Sequence, residues 1–291
     1  MFTEPAEIFK MYRGSPWYEV LVARSCIFCG SGTTMTGEHV FPDWINGVYP
    51  SDDVGDTNVL QRVVDTDELV TDRVYTKKDV ASLRTRFVCA KCNNGWMGQL
   101  EQEAEPLITA LAKGGRRTLG PAEQLVLATW AVKTFQVCET TFGHQFVASQ
   151  SDREIVMTQG RPPAHVRVWA LAYQGRIGPL RSTIVVALIN EAGQPTAGRA
   201  YLGTIQVGCL VLQVGGADLG ISTGAGIERY GSVTGLRLQL YPPIGSITWP
   251  PAEILDDESF LSATTDSSVI NPRIPAVAVP NLRQLVEPPP Y

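Results

Sequence analysis

Histidine is scarce in this chain, with three residues in 291. Chemistry that needs several imidazoles is therefore excluded, and each histidine has to be judged by its neighbours. Charge is also sparse, at 18% of residues, and the balance is acidic, at -5. A basic field over the whole molecule is absent, so any nucleic-acid contact must come from a local patch. Long apolar runs are missing too. The longest aliphatic stretch, Ile184–Ile189 (IVVALI), falls far short of the roughly 20 residues a membrane helix needs. The first residues, MFTEPAEIFKMYRGSPW, lack the basic start and apolar core of a secretory leader. A cytoplasmic protein with no membrane partner is the expectation. There is no GxxxxGK[ST] phosphate loop, no Ser-His-Asp arrangement and no internal repeat, which argues against a nucleotide-driven motor.

Hydrophobic residues make up 44% of the chain, an ordinary proportion for a folded protein. Of the six cysteines, four fall into two Cys-x-x-Cys pairs, Cys26/Cys29 and Cys89/Cys92. In a reducing compartment such pairs read as metal ligands rather than disulfides. Each pair offers two sulfurs at one point, and tetrahedral zinc takes four. A structural Zn²⁺ bound by Cys26, Cys29, Cys89 and Cys92 would staple two distant segments together. Cys138 and Cys209 stand alone in apolar stretches and read as core residues.

The stapled segments carry the remaining chemistry. Glu38-His39 runs into a hydrophobic-Pro turn (EHVFPDW), and Asn93 follows the second pair directly (CAKCNNGW). Closing the staple would bring a carboxylate, an imidazole and a carboxamide around one point. Oxygen donors from Glu38 and Asn93 suit a hard divalent ion such as Mg²⁺ or Mn²⁺. His39 is then available as a general base on water.

The pattern C-x-x-C … E-H-V-F-P … N … C-x-x-C-N resembles the zinc-stapled, four-cysteine branch of the HNH endonucleases, the ββα-metal fold, over about residues 24–101. The resemblance implies phosphodiester hydrolysis, with His39 as the base and Glu38 and Asn93 as ligands of one catalytic divalent ion. It also implies a middle asparagine that braces the loop and orients the base. Asn58 is the candidate for this role, with Asn46 as a rival. Three features depart from the family pattern. The acidic residue is Glu instead of the commoner Asp, about thirty residues separate Asn58 from Cys89, and Trp96 stands where the family often has Lys.

Residues 50–72 carry seven acids against Arg62, and residues 73–92 carry six bases against Asp79. The basic run leads into the second knuckle. Lys77, Lys78, Arg84, Arg86 and Lys91 are its candidate phosphate contacts, with DNA favoured because most of the family cuts DNA. A solvated face is the simpler reading of both runs.

Elsewhere the chain reads as helices followed by strands. Residues 1–25 suggest a short helix or arm, and Tyr18–Cys26 a strand. One helix is expected to open at Asn93, with Trp96, Leu100, Leu107 and Leu111 on its apolar face and Pro106 ending or kinking it. A second begins at Gly120-Pro121. From about residue 160, β-branched runs punctuated by Gly, Pro and Asn predict a mainly antiparallel β region.

The expected fold is α+β. Residues 1–112 form an HNH-like domain, 113–150 a helical connector, 151–265 a β-rich domain and 266–291 a Pro-rich extended tail. The β-rich domain is the expected contact for a homodimer or protein partner. A non-catalytic zinc-stapled nucleic-acid-binding or scaffold protein is the alternative to the nuclease.

Overall fold

The computed structural model describes residues 25–32, 34–48, 57–65, 68–77, 84–140, 147–175, 180–189, 195–218 and 237–265. The expected N-terminal arm and the Pro-rich tail lie outside them, as does His144. The fold is mixed helix and sheet. Strand β1 (Met35–His39) pairs antiparallel with β4 (Arg84–Cys89), and a 3-10 turn (Asp43–Val48) follows β1. Between them the chain makes an excursion, β2 (Thr57–Asp65) and β3 (Glu68–Lys77), which pair antiparallel.

That excursion joins the second half of the molecule. β6 (Arg167–Tyr173), β7 (Leu180–Ile189), β8 (Pro195–Val207), β9 (Leu210–Asp218) and β10 (Leu238–Tyr241) form one sheet with β2 and β3, in the order β10-β6-β9-β8-β7-β2-β3. A short strand, β12 (Ile254–Leu255), adds parallel to β6, and β2 meets β7 in parallel; the other pairings are antiparallel. The expected β region is thus present, and strands from the first hundred residues extend it. Gly208, at φ +56, makes the tight β8–β9 turn, a backbone conformation that costs glycine little.

Among the described residues, four helices of nine residues or more pack on this frame. α1 (Gly98–Ala112) continues from a helical turn at Ala90–Cys92 through a π turn at Asn93–Met97. α2 is Pro121–Glu139, α3 is Gln150–Gln159 and α4 is Asp257–Thr265. α2 starts as its sequence predicts, with Pro121 in the first turn and Glu123 accepting the Gly120 N–H at 3.0 Å. α1 differs in two respects. Its helical stretch opens at Cys89, so Asn93 sits one turn inside and does not cap it. Pro106 does not end it either. Pro106 is exposed, so water can satisfy the carbonyl its ring leaves free, while Leu107, Ile108 and Leu111 hold the other face in the core.

α2 is the central rod, and its middle is buried on all sides, from Leu127 to Cys138. On one side Phe135 stacks on Tyr201 with ring centres 5.0 Å apart, and Gly203 leaves room for the Phe135 ring. Side chains alternate across a strand, so Thr204 and Gln213 lie on the opposite face of the sheet. There Gln213 donates to the Ala263 carbonyl of α4 at 2.9 Å. A second two-stranded sheet, β5 (Arg117–Leu119) with β11 (Ile247–Trp249), ties the start of α2 to the C-terminal half.

Candidate metal centre

The two Cys-x-x-Cys turns meet. Backbone bonds join them: Ile27 N–H to the Phe87 carbonyl at 2.9 Å and Ala90 N–H to the Thr34 carbonyl at 3.0 Å. Within the first turn, Gly30 N–H returns to the Cys26 carbonyl at 2.9 Å, with Gly30 at φ 69. The sulfurs of Cys26, Cys29, Cys89 and Cys92 all lie within 4.8 Å of one another, and those of Cys29 and Cys89 are 3.6 Å apart. A disulfide needs about 2.05 Å. Four sulfurs about 2.3 Å from one zinc ion sit roughly 3.8 Å from each other, so the set fits a tetrahedral site. Cys26, Cys89 and Cys92 are buried and Cys29 is exposed. Burial alone would raise the Cys89 thiol, yet the Cys92 backbone N–H and the neighbouring sulfurs outweigh it and hold the thiol at about 7. Burial pushes the Cys92 thiol up. A bound metal would deprotonate coordinating thiols outright. Phe28 and Trp96 close over the knuckles edge to face, 5.0 Å apart, and Met157 of α3 brings its sulfur to 4.0 Å from Cys92.

β1 leaves this cluster carrying Glu38 and His39. The β1–β4 register shifts between Thr36, opposite Val88, and Glu38, opposite Thr85. Thr36 receives the Asn93 side-chain N–H at 3.2 Å, which holds Asn93 against β1 two residues before Glu38. Glu38 is 4% exposed, and among the described residues no hydrogen bond or ion pair reaches its carboxylate. Burial lifts its pKa from the ordinary 4.5 to about 7; Lys133 pulls it down and Glu101 pushes it up. A buried carboxylate without a donor is costly, and oxygen ligands are what a hard divalent ion takes. Glu38 fits that chemistry, as does the side-chain oxygen of Asn93, which accepts no hydrogen bond among the described residues.

His39, half-buried at the strand's end, has Nδ1 3.6 Å from Asp43 Oδ1, which leaves Nε2 away from that contact. Arg84 lies directly across the hairpin from His39 and is exposed, as are Arg86 and Lys91. Lys77 belongs to β3, and Lys78 lies outside the described residues. Asn58 is in β2, opposite Thr76 and Leu180 in the large sheet, and its side chain lies outside the described residues. The hairpin sheet β1–β4 does not include it. Asn46 sits in the 3-10 turn after His39, its side-chain oxygen buried and without a donor among the described residues.

The residues missed in the sequence lie behind this site. Lys133 of α2 is fully buried and donates to Glu101 of α1 at 2.7 Å. Its nitrogen also lies 5.7 Å from the Trp130 ring. Three residues earlier on α2, Trp130 meets Trp44 of the 3-10 turn at 6.2 Å, and seven residues later Thr140 donates to Thr85 of β4 at 2.6 Å. Thr85 is the register partner of Glu38. α2 thus reaches the 3-10 turn through Trp130, and the residue that ends it reaches β4 through Thr85. A lysine inside the apolar run LATWAVKTF was the available signal. Asp43, four residues after His39, was the signal for the base's neighbour.

No family model, no curated protein and no solved structure matches this chain. A four-cysteine cluster at metal-binding distance stands on geometry alone. No helix among the described residues is long and apolar enough to cross a membrane.

Proposed function

We propose that the chain is a metal-dependent endonuclease of the HNH type, with zinc holding the structure and one divalent ion serving the chemistry. The observation that carries this reading is the pairing of Glu38 and His39 at the end of a strand tied to the four-cysteine cluster. Glu38 is buried without a hydrogen-bond donor among the described residues, and His39 stands against Asp43. Glu38 and Asn93 would hold Mg²⁺ or Mn²⁺. When bound, that ion supplies positive charge against the phosphate oxygens. His39 takes the proton from the water that attacks phosphorus as the P–O bond to the leaving oxygen breaks and that oxygen is protonated from solvent, and Asp43 faces the other ring nitrogen of His39, favouring the orientation in which Nε2 meets the water. Arg84, Arg86 and Lys91 would bind phosphates nonspecifically, as exposed bases beside a nucleic-acid site do. DNA is the favoured substrate.

The test is plasmid cleavage by purified zinc-loaded protein, with and without Mg²⁺ or Mn²⁺, beside His39→Ala. Nicking that needs the added metal and disappears in the variant, at equal zinc content, supports the nuclease. No cleavage by the folded wild type on DNA or RNA favours the zinc-stapled binding module.

A further inference from the structure

We propose that Cys29, the exposed member of the four-cysteine cluster, is an oxidation site for hydroperoxides, and that its oxidation closes a Cys29–Cys89 disulfide that releases zinc while the two knuckles stay joined. The proposal rests on the zinc reading of the cluster and is independent of the nuclease reading.

Its basis is the geometry of the cluster. Cys26, Cys89 and Cys92 are at most 3% exposed, whereas Cys29 is open to solvent. Gly30, the next residue, is exposed too, and no atom lies within 4 Å of where its side chain would begin. On the other flank Phe28 is fully buried against Trp96. A small oxidant therefore reaches the cluster from the Cys29 side. The Cys29 and Cys89 sulfurs are 3.6 Å apart and belong to different knuckles. A disulfide at about 2.05 Å asks them to close by roughly 1.5 Å. The knuckles are also held together by backbone bonds, from Ile27 to Phe87 and from Ala90 to Thr34. The two sulfurs thus stay within reach of each other when no ion holds them.

The chemistry balances in two steps. A metal-bound cysteine is a thiolate, the nucleophilic form. The Cys29 sulfur attacks hydrogen peroxide; an S–O bond forms, the O–O bond breaks, and hydroxide leaves to be protonated by solvent. Cys29 has lost two electrons and stands as a sulfenic acid. The Cys89 thiolate then attacks the Cys29 sulfur; the S–S bond forms, the S–O bond breaks, and the oxygen leaves as a second hydroxide, also protonated to water. One peroxide becomes two waters, and two thiolates become one disulfide. Cys26 and Cys92 remain, two sulfurs where a closed tetrahedral site needs four ligands. A disulfide within one knuckle would release zinc as well, but it would leave the two segments unlinked. The bond between knuckles replaces one staple with another, so a thiol reductant restores the site in a folded chain.

The experiment adds hydrogen peroxide to the zinc-loaded full chain after removal of reductant. Zinc release is followed with the chromogenic chelator 4-(2-pyridylazo)resorcinol, and disulfides are mapped by peptide mass spectrometry. Wild type, Cys29→Ser and Cys209→Ser are compared. In wild type, zinc release and the Cys29–Cys89 disulfide should appear together, one of each per chain, and dithiothreitol with added Zn²⁺ should reverse both. Cys209→Ser, which removes the other thiol that is not fully buried, should behave as wild type. Cys29→Ser should lose zinc to peroxide about tenfold more slowly, because the remaining thiolates are shielded. If Cys29→Ser does not hold zinc, the disulfide map of wild type decides alone. Zinc retained under peroxide overturns the proposal, as does zinc lost with a Cys26–Cys29 or Cys89–Cys92 disulfide, with no disulfide, or equally fast from Cys29→Ser. A folded wild type that carries no zinc before peroxide is added overturns the zinc reading and the proposal with it.

Discussion

A buried carboxylate with no donor among the described residues should make the folded protein sensitive to pH, and Glu38 makes that quantitative. Its folded pKa is about 7 against an ordinary 4.5. A folded pKa above the unfolded one means that the native state holds the proton more tightly. The native state is therefore favoured most at low pH, and stability is lost as pH rises from about 4.5 through 7. The gap, 7 less 4.5, is worth about 3.4 kcal/mol at about 1.36 kcal/mol for each pH unit. Linkage puts about 2 kcal/mol of that loss already in place at pH 6, and nearly all of it at pH 8. Glu38→Gln keeps the shape and removes the charge. The variant should be more stable than wild type at pH 8 by up to about 3 kcal/mol, and its advantage should shrink by about 1 kcal/mol at pH 6. Urea unfolding of both proteins, zinc-loaded and free of added divalent ions, measures this. Saturating Mn²⁺ should then return stability to wild type alone, by about 2.7 kcal/mol at a hundredfold excess over its Kd. A wild-type-to-variant difference that stays flat between the two pH values would refute the reasoning. Such a result would mean that Glu38 has a partner in solution that discharges its burial cost.

Three further outcomes follow from the same geometry. His39→Ala should lower metal-dependent cleavage by about 10²–10⁴-fold, and Asp43→Asn by about tenfold through misorientation of the ring, with zinc content unchanged in both. Cys89→Ser should lose zinc and several kcal/mol of stability, roughly the scale of a structural site. Hydrogen exchange should then rise first in α3, which touches the knuckles through Met157 at Cys92 and through Gln150, whose side chain donates to the Phe28 carbonyl at 3.1 Å. Gly203→Ala would drive a methyl group into the Phe135 ring and should cost about 1–3 kcal/mol in chemical unfolding, with no effect on zinc.

Much of this was legible in the residues. The two Cys-x-x-Cys turns announced a four-sulfur cluster because each turn sets its own pair of sulfurs locally, and only the meeting of the turns needed the fold. The strands from β6 to β10 were readable from β-branched runs and their turn residues. So was the start of α2, where Gly120, Pro121 and Glu123 act within one helical turn. The continuation of α1 through Pro106 was not readable, because it depends on which face of the helix meets solvent. The excursion of β2 and β3 into the large sheet was equally hidden, since pairing of β2 with β7 joins segments far apart in the chain. Lys133 shows the division most plainly. As a letter it is one charge in an apolar helix. Burial takes its ammonium out of water, and the packing of α1 against α2 then puts Glu101 against it. Local chemistry is written in neighbouring residues, whereas the field at a buried charge is the sum over groups that only tertiary packing brings together.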